Sequence, residues 1–142
     1  MFKIISLLTF LNIIYFSTSV TQFQYKSCGD NNDIGQNLIL DVSPKLPQID
    51  YTLFLNADLS QEVNNGTSKY SITYNFIPFQ PSIEDLCTEI NNSNISCPLI
   101  GHIASESKGS IPQDVSGTIV IKNEWFNELN IRILCMQFTI KT

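Results

Sequence analysis

Apolar side chains recur at every second position along two stretches of this chain, and that period constrains the fold more than any other feature. Tyr51, Leu53, Leu55, Ala57 and Leu59 alternate with Thr52, Asn56 and Asp58, and Phe54 is the apolar residue on the otherwise polar side. Tyr70, Ile72, Tyr74 and Phe76 alternate in the same way with Ser71, Thr73 and Asn75. Successive side chains of a strand point to opposite faces, so such runs fold as strands buried on one side and wet on the other. The turn signal Asn64-Asn65-Gly66 between them predicts that the two runs pair as a hairpin. Further β-branched or aromatic runs, flanked by Pro, Gly or Asn, lie at Gln22–Ser27, Leu38–Val42, Ile100–Ser105, Thr118–Lys122 and Ile131–Ile140. Only Ile83–Ile90 offers a helical turn. About seven short strands in a chain of 142 residues predict an all-β, immunoglobulin-like sandwich.

The amino terminus reads differently. Lys3 precedes a 13-residue apolar run, Ile4 to Phe16, and the small residues Ser17, Ser19 and Thr21 follow it. The run is short of the roughly 20 residues a membrane-spanning helix needs, and the small-residue exit resembles a signal-peptidase site. Residues 1–19 are therefore expected to be a cleaved export signal, leaving a domain of residues 20–142. Net charge is −5, and −6 once Lys3 is removed. Seven Lys and a single Arg, thinly spread, make no basic stripe for phosphates, which argues against a nucleic-acid partner.

Two further features agree with the secretory pathway. The cysteines are even in number (Cys28, Cys87, Cys97 and Cys135), as suits an oxidising compartment. Cys87 and Cys97, ten residues apart, can close a local loop, which leaves Cys28 to meet Cys135. A bridge closing 107 residues is worth about 4–5 kcal/mol on the chain-entropy model and is expected to clamp a sandwich whose sheets must be kept from collapsing. Glycosylation acceptors of the form Asn-x-Ser/Thr occur at Asn65, Asn91 and Asn94, in polar, turn-like sequence where a glycan stays in solvent.

Catalytic residues are not apparent. The sequence has no Gly-rich phosphate loop, no Gly-x-Ser-x-Gly elbow and no His-Glu-x-x-His. His102 is the single His, in a strand-start context that suits an edge residue rather than a general base. No Cys-x-x-Cys pair exists to hold zinc. Asp30-Asn31-Asn32-Asp33-Ile34-Gly35 begins like a calcium loop with Asp41 at its twelfth position, but Ile34 stands where an oxygen ligand is required. The expectation is no enzyme, no metal and no cofactor.

The apolar content is 43%, and some of it exceeds what strands with one wet face require. Phe76, Ile77, Pro78, Phe79 and Pro81 form a nearly continuous apolar stretch, and Leu134, Met136, Phe138 and Ile140 supply one face of the last run. Each alone reads as core; together they also fit a cavity for an apolar ligand.

Phe23, Cys28-Gly29, Asp41-Val42-Ser43-Pro44, Asp85-Leu86-Cys87, Ile95-Ser96-Cys97-Pro98, Ile111-Pro112 and Leu134-Cys135 occur in an order that spans the whole mature chain. This pattern resembles the ML-domain lipid-recognition family, in the branch of the Niemann-Pick type C sterol carrier and the phosphatidylglycerol/phosphatidylinositol transfer proteins. The resemblance implies a sandwich with an apolar cavity between its sheets, and a lipid carrier rather than an enzyme. It implies the pairs Cys87 with Cys97 and Cys28 with Cys135. It further implies lipid contacts at Phe79, Ile119 and Ile121. We extend the expected lining to Phe54, Tyr74, Phe76, Leu134, Met136 and Phe138. The early cysteine pair of the animal sterol carriers is missing and the Cys87–Cys97 loop is longer, so both phospholipid and sterol stand as ligands. Such a carrier is expected to be a monomer that touches membranes transiently, in the secreted or endosomal/lysosomal lumen, with a membrane receptor as a route for handing on cargo. A secreted recognition or adhesion module with a filled core is the alternative.

Overall fold

The computed structural model describes residues 18–142, so nearly all of the segment read as an export signal lies outside the described residues. In chain order the elements are β1 (Gln22–Ser27), β2 (Gly35–Ser43), β3 (Asp50–Leu59), β4 (Gly66–Tyr74), β5 (Ile77–Pro78), β6 (Ser82–Asp85), α1 (Leu86–Ile90), β7 (His102–Ser110), β8 (Thr118–Asn127) and β9 (Arg132–Lys141). The larger sheet runs β1-β9-β8-β4-β5, with β6 also paired to β4; the smaller runs β2-β3-β7. All of these pairings are antiparallel. The two sheets face each other across a core that includes Val42, Leu55, Ile103, Ile119, Trp125, Leu134 and Ile140.

The expected hairpin does not form. β3 pairs with β2 and β7, whereas β4 pairs with β8, so the chain crosses from one sheet to the other between them. The Asn64-Asn65-Gly66 turn is present but serves the crossing. Val63, buried at 1% exposure, bridges to Leu99 and pulls the connection inward. Gly66 then admits close approach to β8, since a β-carbon there would meet the Phe126 carbonyl oxygen at 2.2 Å.

Other strands run longer than the apolar runs indicated. β7 extends through Glu106, Ser107, Lys108 and Gly109, and its inward positions are Ile103 and then Ser105, Ser107 and Gly109. β8 continues through Asn123 and Glu124, polar residues that are buried because each has a partner. Asn123 Oδ1 accepts from Ser68 Oγ at 2.9 Å, and Glu124 accepts from Arg132 at 3.2 Å. Arg132 also reaches Asp33 at 2.8 Å and Asp30 at 3.2 Å, so these turn carboxylates neutralise a guanidinium.

Cys28 bonds Cys135 and Cys87 bonds Cys97. The longer bridge does not clamp one sheet to the other. It follows the hydrogen bond from Cys28 N to Cys135 O at 3.0 Å and joins the end of β1 to β9, its neighbour in the same sheet. At this edge the sheets meet through side chains: the Phe23 ring lies 5.4 Å from that of Tyr51, and the Tyr25 hydroxyl donates to Asp41 at 3.1 Å.

Candidate functional site

At the opposite edge β4 and β7 belong to different sheets and are not paired, and there the interior holds a cavity of about 790 Å³. That volume falls within the range of small-molecule and cofactor sites. One wall is Tyr51, Leu53 and Leu55 of β3 with Ser105, Ser107 and Gly109 of β7, beside which Glu106 and Lys108 of β7 also border the space; the facing wall is Tyr70 and Ile72 of β4, Ile121, Asn123 and Trp125 of β8, and Met136 and Phe138 of β9. Glu89 and Ile90 of α1 and the following Asn92–Asn94 segment complete it. A hydrogen bond from Glu106 N to Ser93 O at 3.1 Å spans part of the gap between this segment and β7.

The cavity exists because β7 presents small inward residues where a packed sandwich would place large apolar ones. Tyr51 lies against Gly109 so closely that a β-carbon there would sit 2.4 Å from its ring. Burial of Tyr51 pushes its phenol above the ordinary value. The Tyr70 phenol is pushed up further, first by burial and then by the Glu89 carboxylate to which it donates, so it stays protonated in the cavity wall.

The expected lining residues separate into groups. Ile121, Met136 and Phe138 line the cavity. Ile119 and Leu134, on the same strands, are buried in the core and do not line it. Tyr74 packs against the core, and its hydroxyl donates to the Ser116 carbonyl at 2.5 Å. Phe54, Phe76 and Phe79 point elsewhere. Phe54 alternates with Leu53 and Leu55 and so takes the outer face of its strand, 37% exposed. Phe76 sits at positive φ (68°) in the turn after β4 and is 91% exposed. Phe79 follows edge strand β5 and is 54% exposed.

Sequence reasoning missed the apolar wall residues Leu53, Leu55, Ile72, Ile90 and Trp125, and also its polar and small members Tyr70, Glu89, Asn123, Ser105, Ser107 and Gly109. A search for apolar surplus passes over the polar and small ones, and reads the apolar ones as ordinary core of alternating strands. The available signal was period two carried on through small side chains after Ile103.

Among the described residues no cluster of three or more His, Cys, Asp or Glu could hold a metal ion. His102 is exposed, with Nδ1 2.7 Å from Asp58. No helix of the described residues is long and apolar enough to cross a membrane.

A family model described as the ML domain matches residues 22–142, the whole sandwich. The chain belongs to the ML-domain family. Among curated relatives, this ML domain is 27% identical over 109 residues to a phosphatidylglycerol/phosphatidylinositol transfer protein of Debaryomyces hansenii, covering 75% of this chain and 56% of that protein. It is 26% identical over 99 residues to a putative phosphatidylglycerol/phosphatidylinositol transfer protein of Dictyostelium discoideum, covering 68% of this chain and 64% of the relative. The matched region thus spans under two thirds of each relative. Among solved structures, chicken MD-1 complexed with lipid IVa superposes with a TM-score of 0.63 at 19% identity, over 89% of this chain and 96% of the other. A Niemann-Pick type C2 protein from the Japanese carpenter ant gives 0.58 at 17% identity, over 82% and 96%. Both share the fold of this ML domain.

Proposed function

We propose that this ML domain is a secreted carrier that holds the apolar part of a lipid between its sheets and moves it between membranes, with phospholipid or sterol as cargo. The observation that carries this reading is the cavity of about 790 Å³ at the unpaired edge. An acyl chain of about 16 carbons leaves a membrane only if most of its apolar contact is replaced, at roughly 0.8 kcal/mol per CH₂. Leu53, Leu55, Ile72, Ile121, Met136 and Phe138 offer that contact. The names of the fungal and amoebal relatives support lipid transfer, and the lipid IVa complex of MD-1 supports a lipid ligand. A recognition or adhesion module with a filled core has no use for such a space.

The exposed cluster Phe76, Ile77 and Phe79 at the β4–β5 end serves transient membrane contact. The two disulfides and the exposed Asn65, Asn91 and Asn94 support passage through the secretory pathway, with glycans at those positions and a secreted or endosomal/lysosomal destination. Native mass spectrometry of the secreted protein, with lipid extraction, tests the reading. A bound lipid of defined mass is expected; a preparation that carries none and takes up none from vesicles would sink it.

A further inference from the structure

The gap between β4 and β7 is bridged in part by a strap, residues 91–97, that leaves α1 and reaches across to β7. Its near end is anchored by Leu86 and Ile90 of α1, both buried, and its far end by Leu99, buried and bridged to Val63. The Cys87–Cys97 disulfide closes the loop between these anchors. At the crossing point Ser93 donates its amide to the Ile90 carbonyl, and its own carbonyl accepts from Glu106 N of β7 at 3.1 Å. Ile95, two residues on, packs against the core. Between them stands Asn94, at a positive φ of 61° that Asn tolerates better than most residues.

Asn94 is exposed and at the same time lines the cavity, so it stands at the lip. It is also the acceptor in Asn94-Ile95-Ser96. The two other acceptors stand elsewhere. Asn91 is the C-terminal cap of α1, and Asn65 precedes β4 with its amide bonded to Glu128; neither lines the cavity. A glycan is bulky and strongly hydrated. One rooted at Asn94 stays out of the interior, where its hydroxyls would lose water without gaining enough partners, and stands over the mouth instead.

We propose that a glycan on Asn94 gates the cavity: it screens the mouth beside the strap and slows the passage of lipid in and out. The backbone is fixed on either side, by the bond from β7 to Ser93 and by the packing of Ile95, so the root of the glycan is held at the lip. A screen at the rim meets the cargo only in transit. It therefore raises the barrier for entry and for exit alike and leaves the affinity as it was. This role presupposes the carrier reading and export through a glycosylating compartment, and adds to them a modification that sets the rate of loading rather than the choice of lipid.

Glycopeptide mass spectrometry of the secreted protein is expected to find Asn94 modified; a bare Asn94 overturns the proposal. Ser96→Ala removes the acceptor signal while keeping Asn94 and its turn. Fluorescent fatty acid, phosphatidylglycerol and cholesterol analogues, each delivered as monomers from cyclodextrin, keep membranes out of the measurement. With the probe that binds, Ser96→Ala is expected to speed uptake and release together by about threefold or more, with the dissociation constant unchanged within about twofold. Asn91→Gln, which strips the neighbouring glycan from the same strap, is expected to leave both rates within about twofold of the parent. Should Ser96→Ala be poorly secreted, enzymatic deglycosylation of the folded double variant Asn65→Gln, Asn91→Gln, whose remaining acceptor is Asn94, gives the same readout. Rates unaltered by loss of the Asn94 glycan, or raised equally by Asn91→Gln, overturn the gate and leave the carrier reading standing. So does a change in one rate alone, since the glycan then acts on the bound lipid. A protein that binds none of the three probes overturns the carrier reading and the gate with it.

Discussion

Gly66 lies against the Phe126 carbonyl, where a β-carbon would stand 2.2 Å from the oxygen and 3.1 Å from Leu86 Cδ2. The contact is with backbone, which cannot rotate away, at the point where the chain enters the larger sheet. Gly66→Ala is therefore expected to destabilise the fold by about 2–3 kcal/mol, read by chemical denaturation. Lipid content per folded molecule should not change, because Gly66 does not line the cavity.

Ser107 points into the cavity from β7. Ser107→Leu adds apolar volume where there is room, so stability is expected to rise by about 0.5–2 kcal/mol while lipid uptake falls. A carrier predicts this opposition of stability and loading. A sandwich with no use for its cavity would gain stability and lose nothing. Thermal melting beside a lipid-uptake assay distinguishes the two.

Phe76 is almost wholly in solvent. Phe76→Ser should leave stability within about 0.5 kcal/mol of the parent and leave the bound lipid in place, yet slow transfer between vesicles. Stopped-flow transfer rates measured beside the melting temperature check this. An unchanged rate would remove the β4–β5 end from membrane contact.

Asp85 caps α1, accepting from Thr88 N at 2.8 Å, and this backbone hydrogen bond holds its carboxyl below the ordinary value. Asp58 is lowered by hydrogen bonds from Asn37 and His102. A carboxyl whose folded value lies below its unfolded one stabilises the fold above the unfolded value, near 4, and loses that contribution as the pH falls through the folded value. The melting temperature is expected to stay level from pH 7 to pH 5 and to decline below about pH 4. Asp85→Asn, which still caps but does not titrate, should make the decline shallower. Both carboxylates remain charged at pH 5, so acidification relieves repulsion from anionic bilayers less than a count of acidic residues implies.

The strands that alternate cleanly were legible in the sequence: β1 coincides with its apolar run, and β3 nearly so. The partners of those strands were not. A turn signal such as Asn64-Asn65-Gly66 specifies a local reversal, whereas sheet membership was decided by distant contacts, Val63 with Leu99 and Gly66 with Phe126. The cavity was legible only in part. Ile121, Met136 and Phe138 belong to regular strands whose inward face follows from the period. Phe76 and Phe79 broke the inference because a left-handed turn at Asn75 and Phe76 ends the alternation. Ser105, Ser107 and Gly109 were invisible to it, since an unfilled space is written in the residues that fail to fill it.

Neither disulfide joins one sheet to the other: Cys28–Cys135 ties two neighbouring strands of one sheet, and Cys87–Cys97 closes the α1 loop whose Glu89–Asn94 stretch forms part of the cavity wall. The covalent framework therefore sets the outline of each sheet but not the distance between them. That distance is held by noncovalent contact, such as Phe23 of β1 against Tyr51 of β3 and the Tyr25–Asp41 hydrogen bond between β1 and β2. The molecule is thus laced covalently along one leaf and not across its opening, a construction that can admit cargoes of different girth without breaking a covalent bond.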